Sequence, residues 1–383
     1  MSRQVVGLNP VVLTWARVRA GLSIDDVAIT MKKDPDAIES WEDGSSAPTY
    51  VQLEKLAYTI FKRPIAIFFF PEPPDEPDPT GSFRTLPDFE IENLSPPTRF
   101  MLRKARSLQL SLYELSGGEN PSAKRIFEAM RFRPNVNVAH AAGSVREFLG
   151  IPLETQQRWR DARSAFEKWR SGLESVGVFV FKDAFKQTEV SGFCLLDDRF
   201  PIICVNNKTS FSRQCFTLFH ELAHILSGTY GITIRDDSYI DSLTGSSRSI
   251  EIFCNHFAAE FLVPNSDFTR HIRGSVPDDD TVEELATLYS VSREVILRKL
   301  LDRGLVSPEV YQTRSRSYMK DYLRHARESG GNYYATQAAY LGRAYLKLAY
   351  GKYYGGECSI EQLADHLNVK TASISELERY ALQ

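Results

Sequence analysis

The chain has 383 residues, with 46 Lys and Arg against 49 Asp and Glu, 43% hydrophobic and 25% charged. That balance excludes collagen-like, coiled-coil and wholly disordered chains, and at roughly 100–200 residues per domain it predicts two or three domains. No apolar run approaches the ~18–20 residues of a membrane span, no signal-peptide pattern opens the chain, and five scattered cysteines without a CxxC pair read as reduced thiols of a cytoplasmic protein.

In chain order, residues 8–70 read as four or five short helices, with Ser23 and Thr49 as N-caps and acids in the first turn after Ser23. Five prolines and four acids in Pro71–Pro79 favour extended chain and mark a linker, placed at 71–97. From 98 to 175 the pattern is helical. Trp159, Ala162, Phe166, Trp169 and Leu173 recur at three- and four-residue steps and read as a core stripe. Within it, residues 99–170 carry 14 basic against 7 acidic residues, a local excess that suggests an acidic partner.

Three β-rich runs follow, at 176–181, 190–196 and 201–205, the last two joined by a turn at Asp197-Asp198-Arg199. A strong helix is predicted from an N-cap at Ser212 to Leu226, closed by Ser227-Gly228, and another from Ser249 to Leu262. The loop 227–249 between them is a candidate lid or surface connection. Two short helices, 281–289 and 293–303, either buttress this core or offer Arg293, Arg298, Lys299 and Arg303 to DNA. The tail holds 11 of the 17 tyrosines; Tyr340, Leu341, Ala344, Tyr345 and Leu348 read as one core stripe, and Ser359 and Thr371 as caps of a last helical unit.

The chemistry lies in the strong helix, where His220-Glu221-Leu222-Ala223-His224 spells HExxH. Positions i and i+4 share one helix face, so His220 and His224 can place two imidazoles on one Zn²⁺, with Glu221 beside them to take a proton from water. A third protein ligand is needed. On the next helix Glu251 shares a face with Asn255, so Glu251 could bind metal while Asn255 supports a ligand histidine. Glu260 is the runner-up, His256 points well away from Glu251, and Cys254 reads as a core thiol. Tyr230, Tyr239, His256 and Tyr289 are candidates for stabilising an oxyanion.

These residues carry two resemblances. Arg19–Ser23, Ala37–Gly44, Pro48-Thr49 and Leu53–Ala57 resemble the Xre/phage-repressor helix-turn-helix family, which implies a recognition helix over Ala37–Trp41. Five acids, Asp34, Asp36, Glu39, Glu42 and Asp43, surround that helix and would repel phosphate. Val190–Phe193, Ile203–Asn206, Phe216–His224 and Glu251-x-x-x-Asn255-x-Phe257-Ala258-Ala259 to Pro264 resemble the ImmA/IrrE zinc metallopeptidases. That resemblance implies His220, His224 and Glu251 as zinc ligands, Glu221 as the catalytic acid/base, and cleavage of a DNA-binding repressor or antitoxin-like protein. Asn255 stands where many gluzincins carry Asp, and the ImmA/IrrE pattern accommodates it.

The expected architecture is α+β: a mainly helical multidomain chain with a small β-sheet in a gluzincin-like core and an N-terminal helix-turn-helix bundle. Its parts are an Xre-like domain at 1–70, the linker at 71–97, a helical connector at 98–175, the metallopeptidase core at 176–279, a helix-turn-helix-like module at 280–310 and a tyrosine-rich extension at 311–383. The alternative function is a DNA-binding regulator whose peptidase fold serves as sensor or scaffold.

Overall fold

The computed structural model describes residues 3–76, 95–159, 161–185, 189–234, 240, 243–272, 277–325 and 332–381. Most of the linker 71–97 and Tyr239 lie outside the described residues. The chain forms two compact units, Met1–Lys104 and Ala105–Gln383.

The first unit is built on α1 (Pro10–Ala20), α2 (Ile24–Met31), α3 (Pro35–Glu42) and α4 (Tyr50–Glu54). Ser23 and Thr49 cap α2 and α4 through reciprocal capping boxes with Asp26 and Gln52. Val12, Leu13, Ala16, Ile38, Trp41 and Leu53 are among the residues that close its core, and Arg17 ties α1 to α3 through a two-pronged pair with Glu42 at 2.7 and 2.9 Å. Helix α5 (Pro96–Leu115) follows.

The second unit is mainly helical around a four-stranded mixed sheet. Before the sheet come α6 (Ile126–Ala129), α7 (Val138–Leu149), α8 (Leu153–Gln157) and α9 (Ala162–Ser175). Strands β1 (Phe179–Asp183), β2 (Val190–Leu195), β3 (Ile202–Asn206) and β4 (Gly231–Ile234) lie in the order β1-β3-β2-β4. β1 runs parallel to β3, whereas β2 is antiparallel to β3 and β4. Every residue of β2 and β3 is buried, which is why these runs are apolar without strict alternation. β4 corrects the reading of 227–249 as loop throughout. Its β-branched core, Ile232-Thr233-Ile234, is short and pairs only with a strand some forty residues earlier in sequence.

Two helices pack on this scaffold. α10 (Phe211–Ser227) begins at an N-cap supplied by Ser210, two residues before the expected Ser212, and ends at Gly228 in the left-handed region. α11 (Gly245–Leu262) starts four residues earlier than expected. Phe219 of α10 stacks on Phe261 of α11 with centroids 3.9 Å apart, and Trp169 of α9 meets both rings edge-on at 4.9 and 5.2 Å. The aromatic stripe predicted on α9 is thus the seam that fixes α10 against α11.

Helices α12 (Asn265–His271), α13 (Asp279–Tyr289), α14 (Arg293–Asp302) and α15 (Pro308–His325) follow. Lys299 is buried on α14, bonded to Glu260 at 3.1 Å and to the Val263 carbonyl at 2.6 Å, so it has no surface to offer a phosphate. The chain closes with α16 (Tyr333–Leu341), α17 (Arg343–Tyr354), α18 (Ile360–Leu367) and α19 (Ile374–Ala381). Gly342, at φ 84°, breaks the expected continuous stripe into two helices and shifts its buried face to Leu341, Tyr345, Leu346, Ala349 and Tyr350. Ser359 caps α18, but Thr371 sits inside a short 3-10 turn and caps nothing.

Candidate metal centre

α10 is buried on every side from Gln214 to Leu226, and its histidine face turns toward α11. Leu218, Phe219, Leu222, Ala223, Ile225 and Leu226 are buried around the motif, so the helix cannot rotate without exposing them. His220 and His224 are each 1% exposed, with their Nε2 atoms 3.1 Å apart. Glu251 reaches across from α11 and puts one carboxylate oxygen 3.3 Å from His220 Nε2 and the other 3.2 Å from His224 Nε2. These separations match the ~3.3 Å edge of a tetrahedron whose corners lie ~2.0–2.1 Å from a zinc ion.

The other ring nitrogens fix the tautomers. His220 Nδ1 faces Asn255 Oδ1 at 2.9 Å. His224 Nδ1 faces Thr229 Oγ at 3.0 Å, while that hydroxyl donates to the His224 carbonyl at 3.4 Å. Both acceptors place the proton on Nδ1, and both Nε2 lone pairs then face one point. Two lone pairs 3.1 Å apart repel unless a cation or proton lies between them, so the donor set fits a bound metal.

Charge follows the same geometry. Burial works against a charged His224, yet the Glu251 carboxylate beside it favours the charged form, and its pKa lies well above the ordinary imidazole value. Glu251 is buried too, and the two histidines hold its carboxylate well below the usual range. Cys254 joins the cluster: its sulfur and one nitrogen of each histidine lie within 4.8 Å of one another. Burial pushes its thiol pKa up, which disfavours the thiolate that a metal requires.

Glu221 is fully buried beside the histidines. Thr233 of β4 donates its hydroxyl to Glu221 Oε1, while Oε2 has no hydrogen-bond partner. Gly231 makes this approach possible. A Cβ there would stand 2.4 Å from His224 Cδ2 and 2.8 Å from Glu221 Oε2, closer than side-chain atoms tolerate.

Among the described residues, HExxH, Glu251 and Asn255 therefore come together. Glu260 does not: it is bonded to Lys299 and to the Asn265 amide at 2.9 Å. His256 is exposed, and the Tyr289 hydroxyl is spent on Asp267 at 2.7 Å. Tyr230 adjoins Gly231. Sequence reasoning missed Thr229, Gly231, Thr233 and the reach of Cys254.

A family description built for peptidase family M78 matches residues 173–301, which carry the sheet, the motif helix and the Glu251 helix. Residues 173–301 form an IrrE N-terminal-like domain. The M78 match and the HExxH spacing of His220 and His224 suggest a zinc metallopeptidase. No curated protein matches the chain. Among the described residues, no helix is long and apolar enough to cross a membrane.

Proposed function

We propose that the chain is a regulatory zinc endopeptidase that cleaves a DNA-binding repressor or an antitoxin-like protein inside its sequence. The observation that carries this reading is the meeting of His220 Nε2, His224 Nε2 and the Glu251 carboxylate at 3.1–3.3 Å, with Glu221 alongside. In it, His220, His224 and Glu251 hold the metal and Asn255 orients His220. Zinc bound there supplies a Lewis acid and makes water acidic enough to react near neutral pH. Glu221 takes the proton of the attacking water at Oε2, the oxygen without a partner, and returns it to the leaving amine. Thr233 holds the other oxygen.

We read the N-terminal unit as an Xre-like module that recruits the substrate, because the acids at Asp34, Asp36, Glu39, Glu42 and Asp43 oppose docking on DNA. The test is Glu221→Gln in the full chain, with repressors encoded nearby as substrates and mass spectrometry as readout. Zinc content should stay at wild-type level while cleavage falls by about 10²–10⁴; cleavage at the wild-type rate would sink the assignment.

A further inference from the structure

α11 brings two donors to the histidine pair. Glu251 and Cys254 are three residues apart on that helix, so they share a face one turn apart. The Glu251 oxygens stand 3.3 and 3.2 Å from the Nε2 atoms of His220 and His224. The Cys254 sulfur lies within 4.8 Å of one ring nitrogen of each histidine, and all three of these side chains are buried. Among the described residues, the other buried thiols are placed differently: Cys194 faces the Thr229 carbonyl at 3.9 Å and Cys215 the Ala162 carbonyl at 3.8 Å.

The number of donors decides what such a centre can do. His220, His224 and Glu251 leave a fourth position open, as catalysis requires, whereas four protein donors make the closed set of a structural zinc site. A tetrahedral site with Zn–N of ~2.0–2.1 Å and Zn–S of ~2.3 Å has N···S edges of ~3.5 Å, so the sulfur joins the other three donors by moving about one ångström. Burial keeps the metal-free thiol protonated. That does not bar it, because a divalent ion deprotonates a coordinating thiol outright and thiolate is a ligand that suits zinc.

We infer, resting on the zinc peptidase reading proposed above, that Cys254 is a fourth, displaceable donor that closes the metal centre in the substrate-free protein. When the sulfur joins, its S–H bond breaks, an Sγ–metal bond forms and the proton goes to solvent. When it leaves, the thiol regains a proton and the fourth position opens. Glu251, close to both Nε2 atoms, stays in either state. The chain is then latent until a substrate displaces the sulfur, and loss of Cys254 leaves three donors that still hold the metal.

X-ray absorption at the zinc edge, on the zinc-loaded full chain, tests this. A sulfur scatterer at ~2.3 Å is expected beside the nitrogen and oxygen shell at ~2.0–2.2 Å, and it should be lost in both Cys254→Ser and Cys254→Ala. Cobalt(II) in place of zinc gives a second readout: a sulfur-to-cobalt charge-transfer band that acetohydroxamate, a bidentate metal ligand, removes as it displaces the thiolate. Acetohydroxamate should bind the cobalt form of Cys254→Ser at least about tenfold more tightly than that of the wild type, where it must compete with the sulfur. A wild-type metal shell of nitrogen and oxygen alone, or equal hydroxamate affinity in wild type and variant, overturns the inference and leaves the peptidase reading standing. Failure of the wild type to take up either metal overturns both.

Discussion

Glu251 and Cys254 stand one turn apart on α11, and both face His224. The carboxylate is held ionised by the histidines while the thiol is held protonated by burial, so the carboxylate is the better donor. Glu251→Gln should therefore lose zinc beyond the ~10–100-fold that an outer partner such as Asn255 is worth, while Cys254→Ser keeps one zinc per chain after dialysis. Metal analysis showing the opposite order would make Cys254 the ligand. Gly231→Ala should cost about 1–3 kcal/mol and most of the activity, because its Cβ has no room beside His224 and Glu221; urea unfolding and a cleavage assay read the two effects. The histidine pair and Glu251 were legible because helical spacing alone puts side chains on one face. Gly231 and Thr233 were not, because they reach Glu221 only through the pairing of β4 with β2, which no local pattern specifies.

At the scale of elements, β1 carries a buried cation. Lys182 packs its ammonium 4.5 and 4.6 Å from the rings of Phe166 and Phe211, and burial lowers its pKa to about 8. The unfolded chain then binds more protons than the folded one between the folded value near 8 and the unfolded value of 10.5. Stability should rise with pH through that window. Lys182→Met should flatten the rise and stabilise the protein by roughly 1–3 kcal/mol at neutral pH, as seen in thermal midpoints across a pH series. Element type was readable where periodicity was strong, as on α9 and α10. Boundaries slipped where a neighbouring residue made the better cap, as Ser210 did over Ser212, and where Gly342 divided a stripe that spacing alone read as continuous.

At the scale of the whole molecule, the basic excess of residues 99–170 changes meaning. Arg170 is buried, bonded to Glu174 and to the carbonyls of Ala339 and Tyr340, so it anchors the C-terminal extension on α9. Arg146 is spent on the Ile151 carbonyl at 3.1 Å, on Gln156 at 2.8 Å and on the Phe261 carbonyl. Part of a charge surplus that pointed to an acidic partner is internal bonding, which a count of residues has no means to distinguish. The metal acts at this scale too, because it ties α10 to α11 in the folded state and has no such site in the unfolded chain. Chelation should lower the thermal midpoint by ~2–4 °C per kcal/mol of lost binding. Hydrogen exchange should then rise in α10, α11 and β4 but not in α1–α4; unchanged protection around the motif would count against a metal there.

The two arms of the proposed ligand set are unequally anchored. Ser210 and Gly228 clamp both ends of α10, whereas α11 opens at Gly245 with no side-chain cap from Thr244, less than two turns before Glu251. Fraying is cheap at such an end and moves the carboxylate without disturbing either histidine. Exchange of the metal is then a kinetic matter of how often the first turns of α11 open, and a better cap at position 244 would lengthen its residence time while leaving the donor atoms the same.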